Sequence, residues 1–254
     1  MEFFAKLKDG LASKFIEFKD DFILNFIDDN RWKWLLDGLK NTLIITLFSL
    51  LLGLAIGVVI AIVRSTFDKN RETYKKKGGI FYAFWCVINA ICNLYLTIIR
   101  GTPVVVQLLI AYFIIFASSR NGVAIAIFAF GLNSGAYVAE IIRGGVMSID
   151  NGQFEAGRSL GFNYVQTMIY IIIPQVFKAI LPTLCNEFIV LIKETSVAGY
   201  VGIVDLTKAG ERIRGVTFSA FMPLIAVALI YLVVVIILTQ LVKILERRLR
   251  KNER

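Results

Sequence analysis

Long apolar stretches without a charged residue alternate with short polar stretches along the chain. An α-helix needs about 20 apolar residues to cross the hydrocarbon core of a bilayer. Five uncharged runs have about that length: Asn41–Val63, Gly101–Ser119, Asn121–Ala139, Ser159–Phe177 and Gly215–Val242. A sixth run, Gly78–Ile99, is ambiguous. The pattern therefore predicts an all-α, polytopic membrane protein.

The segment before the first run has a different pattern, in which apolar side chains recur at steps of three and four residues. This spacing is typical of an amphipathic helix that lies on a membrane surface, and Trp32 and Trp34 follow where they suit the headgroup level. No short apolar core with a cleavage site precedes the first run, so we expect no removable signal peptide. The apolar positions are Phe4, Leu7, Leu11, Phe15, Phe18 and Phe22.

The distribution of basic residues decides how often the chain crosses the membrane. Short basic loops stay in the cytoplasm, so both basic clusters should face that side. A separate crossing by Gly78–Ile99 would give six crossings and put the C-terminal cluster outside, whereas joining it to the next run as one broken helix gives five. We expect five, in the cell membrane, with the N-terminus outside and the C-terminus cytoplasmic. The clusters are Arg64, Lys69, Arg71, Lys75, Lys76 and Lys77, and Lys243, Arg247, Arg248, Arg250, Lys251 and Arg254.

Three segments follow from this topology: an interfacial segment (1–37), a transmembrane domain (38–242) and a basic cytoplasmic tail (243–254). Composition agrees, because 57% of the 254 residues are hydrophobic and the mean hydropathy is +0.71. The chain has no histidine, no Cys-x-x-Cys pair and no Gly-x-x-x-x-Gly-Lys-Ser/Thr loop, so we expect neither a metal site nor an ATPase site. The net charge of +9 lies beside the crossings, where it suits anionic lipid headgroups rather than nucleic acid.

The loop between the third and fourth runs, about residues 144–166, is predicted to form a helical knob in the cytoplasm. Asp150 and Asn151 are candidate N-caps, and Gly161 can adopt the left-handed conformation that ends a helix. Such a short exposed helix gains little from its own packing. We therefore expect a partner protein to pack on it.

The residues of this loop resemble a known motif. "EAGRSLG" followed by "IIIPQ" is similar to the EAA motif of ATP-binding-cassette (ABC) importer permeases, with Gly157 in place of the second alanine and Ile173 in place of a leucine. The resemblance extends through "RGTPVVVQLLIAYF", "NSGAYVAEIIRGG" and "NEFIVLIKETS" to the polar amino acid permeases of the histidine, glutamine and arginine type.

The resemblance implies a type I importer-like subunit that pairs with itself or with a similar permease. Separate ATPase subunits would bind the coupling loop and carry ATP and Mg, so this chain would hold no cofactor and would not itself be an enzyme. An extracellular binding protein would deliver the amino acid. The implied ATPase-docking residues are Glu155, Ala156, Gly157, Arg158 and Gly161.

Charged residues inside predicted crossings are costly and are therefore candidates for function. Counting about 1.5 Å per residue puts Arg100 and Glu140 at one level near the cytoplasmic surface. We predict that they form a structural ion pair, or that Arg143 competes for the carboxylate. A gate that contacts substrate is the alternative role.

The same count puts four polar residues near the middle of the membrane: Gln107, Asn133, Ser134 and Glu187. Glycines and a proline interrupt the helices beside them, and interrupted helices can expose backbone groups that hold an amino acid. No crossing offers a lysine or arginine at the level of Glu187, so its carboxylate could hold the ammonium of the substrate or the side-chain cation of a cationic amino acid. The alternatives are close helix packing for Ser134 and a structural carboxylate for Glu187.

Two other functions are compatible with polar groups at mid-depth. An ion-gradient-driven secondary transporter or a channel would need no docking knob, and no internal repeat supports it. A membrane sensor or assembly factor would tolerate substitutions at these positions. The knob favours the ATP-driven importer.

Overall fold

The structure is a computed structural model that describes residues 13–251, and over this range it is helical without a β-strand. Residues 1–12 and 252–254 lie outside the described part, and with them Phe4, Leu7 and Leu11 of the predicted amphipathic face. The first described helix, α1 (residues 13–22), leaves Phe15, Phe18 and Phe22 exposed. A π-turn, Ile23–Ile27, and a 3-10 turn, Asp28–Asn30, connect it to the membrane domain.

Nine further helices follow α1 in the described range. Helix α4 continues through a π-turn to Ile115, and α7 continues through another, Met168–Ile172, into α8. A 3-10 segment, Thr195–Val201, follows α8. The helices are α2 (Trp32–Lys77), α3 (Gly79–Gly101), α4 (Val104–Ile110), α5 (Gly122–Ser148), α6 (Asn151–Ser159), α7 (Tyr164–Thr167), α8 (Ile173–Glu194), α9 (Leu206–Thr217) and α10 (Phe221–Lys251).

Five helical segments of the described range are long and apolar enough to cross a membrane. They are α2, α3, α5, the continuous α7–α8 segment and α10, while α4 with its π-turn is too short on its own. Thr102 and Pro103 have extended backbones and separate α3 from α4, because a proline has no N–H and pushes the residue before it out of the helical region. The predicted all-α fold with five membrane helices is confirmed.

Several helix ends differ from the ends of the apolar runs, and two of them lie in the second half of the chain. The uncharged fourth run ends at Phe177, and the helix continues beyond it to Glu194, as the predicted position of Glu187 requires, because Lys178 lies on an exposed face and does not interrupt it. The fifth run was expected to begin at Gly215, which belongs to the separate helix α9.

Helices α2 and α5 pack closely along the centre of the domain. Small residues allow this approach, as is usual for helices in membranes. A Cβ added at Gly57 would lie 2.5 Å from Val138, and one added at Gly131 would lie 2.7 Å from Leu52. Helices α3 and α8 pack against this pair, while α10 packs against α8 and α9.

The two ends of the bundle carry different short helices. At one end α9 packs across the first part of α2, where Asn41 donates to the carbonyl oxygen of Val204 at 2.8 Å and Thr42 accepts from the backbone of Leu206 at 3.1 Å. Gly122, at the start of α5, lies at this end beside Ile203. Helix α6 follows the other end of α5, so α6 and α9 lie at opposite ends of the domain.

Candidate functional site

Helix α6 is a capped helix that projects from the bundle. The carboxylate of Asp150 accepts from the backbone N–H of Gly152 at 2.6 Å and caps its first turn. At its end the N–H of Phe162 donates to the carbonyl of Gly157 at 3.0 Å, while Gly161 adopts a left-handed φ of 80°. The loop therefore has a defined shape in this chain alone.

A second cap returns the chain from α6 to the membrane. The side chain of Asn163 accepts from the N–H of Gln166 at 2.9 Å, and the side chain of Gln166 accepts from the N–H of Asn163 at the same distance. This reciprocal arrangement is a capping box. Sequence reasoning missed it, although an asparagine followed three residues later by glutamine is its usual signal.

The residues assigned to ATPase docking divide into two groups. Glu155, Ala156 and Arg158 are exposed, and within the described range Glu155 and Arg158 form no ion pair. Gly157 is buried, and a Cβ added there would lie 2.7 Å from both branches of Thr167. The glycine that replaces the motif's second alanine thus permits close contact between α6 and α7.

The C-terminal end of α2 supports α6 from the side. Helix α2 continues to Lys77, well beyond its apolar part. The ammonium of Lys69 donates to Asn151 at 2.9 Å and lies 4.5 Å from the ring centre of Phe154. A displacement of α6 would therefore break these contacts or move the end of α2.

Glu140 on α5 is the centre of a cluster of charged side chains. Arg143 lies 3.2 Å from its carboxylate, Arg100 lies at 4.0 Å, and Arg64 from α2 forms a short ion pair with it. Arg143 also lies 3.2 Å from Asp68. The structure thus places both predicted partners at Glu140, with Arg143 nearer than Arg100.

Sequence reasoning missed the role of Arg64 in this cluster. We had counted Arg64 among the loop charges that set topology. Its spacing of four residues from Asp68 suggests a pair within α2, but Arg64 instead contacts Glu140, 76 residues later, and no local pattern signals that contact. The cluster joins α2, the end of α3 and α5.

The four polar residues predicted near the middle of the membrane form two separate hydrogen-bonded pairs rather than one cluster. Gln107 accepts a hydrogen bond from Asn133 at 3.0 Å and donates to the carbonyl oxygen of Ile99 at 2.7 Å, so it covers the open end of α3. Ser134 lies 3.3 Å from the carboxylate of Glu187, towards α8.

Both members of the second pair are buried, whereas in the first pair Asn133 is buried and Gln107 is only partly buried. Ser134 is fully buried and Glu187 is 9% exposed. No ion pair of Glu187 occurs among the residues that the structure describes. An acidic side chain inside a membrane domain with a single serine partner is energetically costly.

These features define a class of protein: a multi-span membrane protein with a capped, partly exposed helix at one end of its bundle. Residues 79–251 match the family described as "Binding-protein-dependent transport system inner membrane component". The chain belongs to this family. It is a permease subunit of an ABC importer and a multi-pass protein of the cell membrane, not the ion-gradient-driven transporter considered as an alternative.

Curated relatives match over most of their length. The arginine transport system permease protein ArtQ of Bacillus subtilis is 36% identical over 224 residues, which cover 87% of this chain and 94% of ArtQ. The glutamine transport system permease protein GlnP of Escherichia coli is 36% identical over 220 residues, covering 85% and 93%. A putative glutamine permease of Rickettsia typhi is 35% identical over 222 residues, covering 86% and 94%.

Solved structures agree with the fold. The crystal structure of an amino acid ABC transporter with histidines superposes with a TM-score of 0.75 at 36% identity, covering 88% of this chain and 98% of the other. The inward-facing MetNI methionine transporter superposes with a TM-score of 0.67 at 20% identity, covering 88% and 98%. The second likeness concerns the fold alone, which is that of type I importers.

Proposed function

We propose that this permease moves a polar amino acid into the cell as part of an ATP-driven importer. Separate ATPase subunits bind α6 and carry ATP and Mg, and this chain holds no cofactor. It pairs with itself or with a similar permease, and a binding protein delivers substrate at the α9 end. The N-terminus is outside and the C-terminus cytoplasmic, which puts α6 on the cytoplasmic side.

The shape of α6 carries this proposal. Its caps and its contacts with α2 and α7 fix the inner face, while Glu155, Ala156 and Arg158 remain exposed. A carboxylate and a guanidinium one turn apart can form ion pairs in the groove of a partner. The arrangement suits a rigid body that transmits motion from a docked ATPase.

Glu155→Lys tests the docking role. Reversing this charge leaves the partner's opposing charge unpaired, at a cost of about 2–5 kcal/mol at an interface. We expect loss of ATPase co-purification and of ATP-dependent uptake, with normal membrane abundance. Glu211→Lys, the same exchange at an exposed position of α9, is the control and should keep the ATPase bound. Normal ATPase binding by Glu155→Lys would show that Glu155 does not dock.

The substrate class rests on the similarity to glutamine and arginine permeases and on Glu187. A buried carboxylate that has no cation partner among residues 13–251 can be matched by a cation that arrives with the substrate. We propose that Glu187 holds the α-ammonium, or the side-chain cation if the amino acid is cationic, with Ser134 fixing the carboxylate. We propose that Gln107 and Asn133 also contribute to substrate binding. If their side chains separated, the backbone groups at the break after α3 would become free to bind the substrate.

Glu187→Gln tests this assignment, because it keeps the shape and removes the charge. We expect uptake in proteoliposomes to fall severely while the ATPase still binds and the thermal stability in detergent is retained or increased. Ser134→Ala at equal abundance should have the milder effect. Unchanged uptake in Glu187→Gln would rule out this carboxylate as the counter-charge of the substrate.

A further inference from the structure

Two adjacent apolar cavities form one continuous groove along α8. The first, of about 490 Å³, lies between α2, α8 and α10, and the second, of about 450 Å³, lies between α2, α5 and α7–α8. They share Leu54, Phe177 and Leu184. We call the combined cavity the α8 groove.

The α8 groove has the length and composition of a site for hydrocarbon. The part of the groove with polar side chains at its end runs along α2 from Leu54 to Thr66, about 18 Å at 1.5 Å per residue. This length is close to one leaflet, which is half of a hydrocarbon core about 30 Å thick. Polar side chains line it at one end only, where Ser65, Thr66 and Tyr164 come together. Its rim residues Val58 and Ile62 are exposed.

The polar end contains a buried hydroxyl with an unused hydrogen bond. Ser65 is 3% exposed, and its Oγ has no hydrogen-bond partner in the described part of the chain. Buried hydroxyls are normally paired, so an apolar occupant would leave this group unsatisfied. A ligand with an oxygen atom at this level would satisfy it.

A positive charge lies just beyond the polar end. Lys69 is one helical turn after Ser65 on α2, and within the described range its ammonium has the amide of Asn151 as a partner but no carboxylate. The occupant that fits is therefore long and apolar, carries oxygen atoms near one end, and bears a negative charge beyond them. An anionic phospholipid has these three properties in this order.

We propose that the α8 groove binds an anionic phospholipid whose acyl chain follows α8, whose ester oxygens accept from Ser65 and whose phosphate meets Lys69. Because Lys69 also contacts α6, the bound headgroup lies against the base of the docking helix. The lipid headgroup and α6 would therefore contact the same side chain, Lys69. This inference goes beyond amino acid transport. The proposed orientation would place the lipid in the cytoplasmic leaflet, and only this placement rests on the proposed function.

The test uses the complete importer in phosphatidylcholine vesicles that contain phosphatidylglycerol with a photoreactive group on its acyl chain. Labelled peptides are mapped by mass spectrometry. Val58→Trp fills the groove from its rim, and Val59→Trp, at the neighbouring position outside the groove, is the matched control. We expect labelling of 164–184 to fall about tenfold in Val58→Trp relative to the control, because the added volume overpacks the site.

The headgroup is tested separately with Lys69→Gln. The native protein should prefer the phosphatidylglycerol probe to a phosphatidylcholine probe by about fivefold, as expected for one lysine near the membrane surface, and Lys69→Gln should remove the preference. Should Val58→Trp fail to assemble, Ile169→Trp fills the groove from the opposite wall. Equal labelling of the groove-filling and control variants would overturn the proposal, as would cross-linking of Val58→Cys to another permease subunit, which would show that protein covers the groove.

Discussion

Replacing Gly157 by alanine should lower the stability of the segment 151–167, which contains α6 and α7. This is unexpected, because alanine favours helices and stands at this position in the EAA motif. The added Cβ would lie 2.7 Å from Oγ1 and Cγ2 of Thr167 and 3.2 Å from its Cβ. Both branches of the threonine face Gly157. Rotation about χ1 therefore leaves at least one of them in the way.

Three contributions set the magnitude. Overpacking of this kind costs about 1–3 kcal/mol. Rotating Thr167 away also breaks its 3.0 Å hydrogen bond to the carbonyl of Asn163, which contributes about 1 kcal/mol. The better helix propensity of alanine offsets about 1 kcal/mol. The net loss is about 1–3 kcal/mol in the stability of the loop.

Amide hydrogen exchange of peptides spanning 151–167 measures this loss. The opening equilibrium should increase about fivefold or more in Gly157→Ala, with no change in α5. Thr167→Ala combined with Gly157→Ala should restore most of the protection, since the remaining contact is between two Cβ atoms. Gly144→Ala is the control, because no side-chain or distant backbone atom lies within 4 Å of its Cβ position. Stronger protection in Gly157→Ala alone would refute the steric argument.

Two further predictions concern charged groups. Glu140→Gln should lower the melting temperature in detergent more than Arg100→Gln, because Glu140 faces three arginines while Arg100 is half-exposed at 4.0 Å; equal effects would contradict the central role of Glu140. Asp205 caps α9 and is fully buried, and burial raises its pKa above the ordinary 3.8. Its folded state binds the proton more tightly, so stability is lost as pH rises through the raised pKa. Asparagine also caps helices but carries no charge, so Asp205→Asn should melt at a higher temperature than the native protein at neutral pH. This difference in melting temperature should shrink as pH falls towards 4. A difference that does not depend on pH would exclude this titration.

The sequence predicted what depends on local patterns. Uncharged length indicated the crossings, and Asp150 and Gly161 marked the ends of α6 because caps depend on a few neighbouring residues. Contacts between distant residues were harder. Depth counting put Gln107 and Asn133 at one level but could not show that they bond to each other, since rotation about each helix axis is set by packing.

Two features required the three-dimensional structure. Arg64 was read as a loop charge because α2 was expected to end near Val63, whereas the helix continues to Lys77 and places Arg64 against Glu140. In the sequence, Gly157 is a departure from the motif that no neighbouring residue explains. Its reason lies in Thr167, ten residues later, which occupies the space that an alanine would need.

The unbroken length of α2 sets the distance between the two ends of the protein. Its 46 residues span about 69 Å, with Asn41 fixed to Val204 near one end and Lys69 to Asn151 near the other. One inserted residue between these contacts would turn one end by about 100° relative to the other, and seven would restore the face but add about 10 Å. Neither chain could make both contacts. The number of residues from Asn41 to Lys69 is therefore as tightly constrained as any side chain in the site, whichever amino acids fill the positions between them.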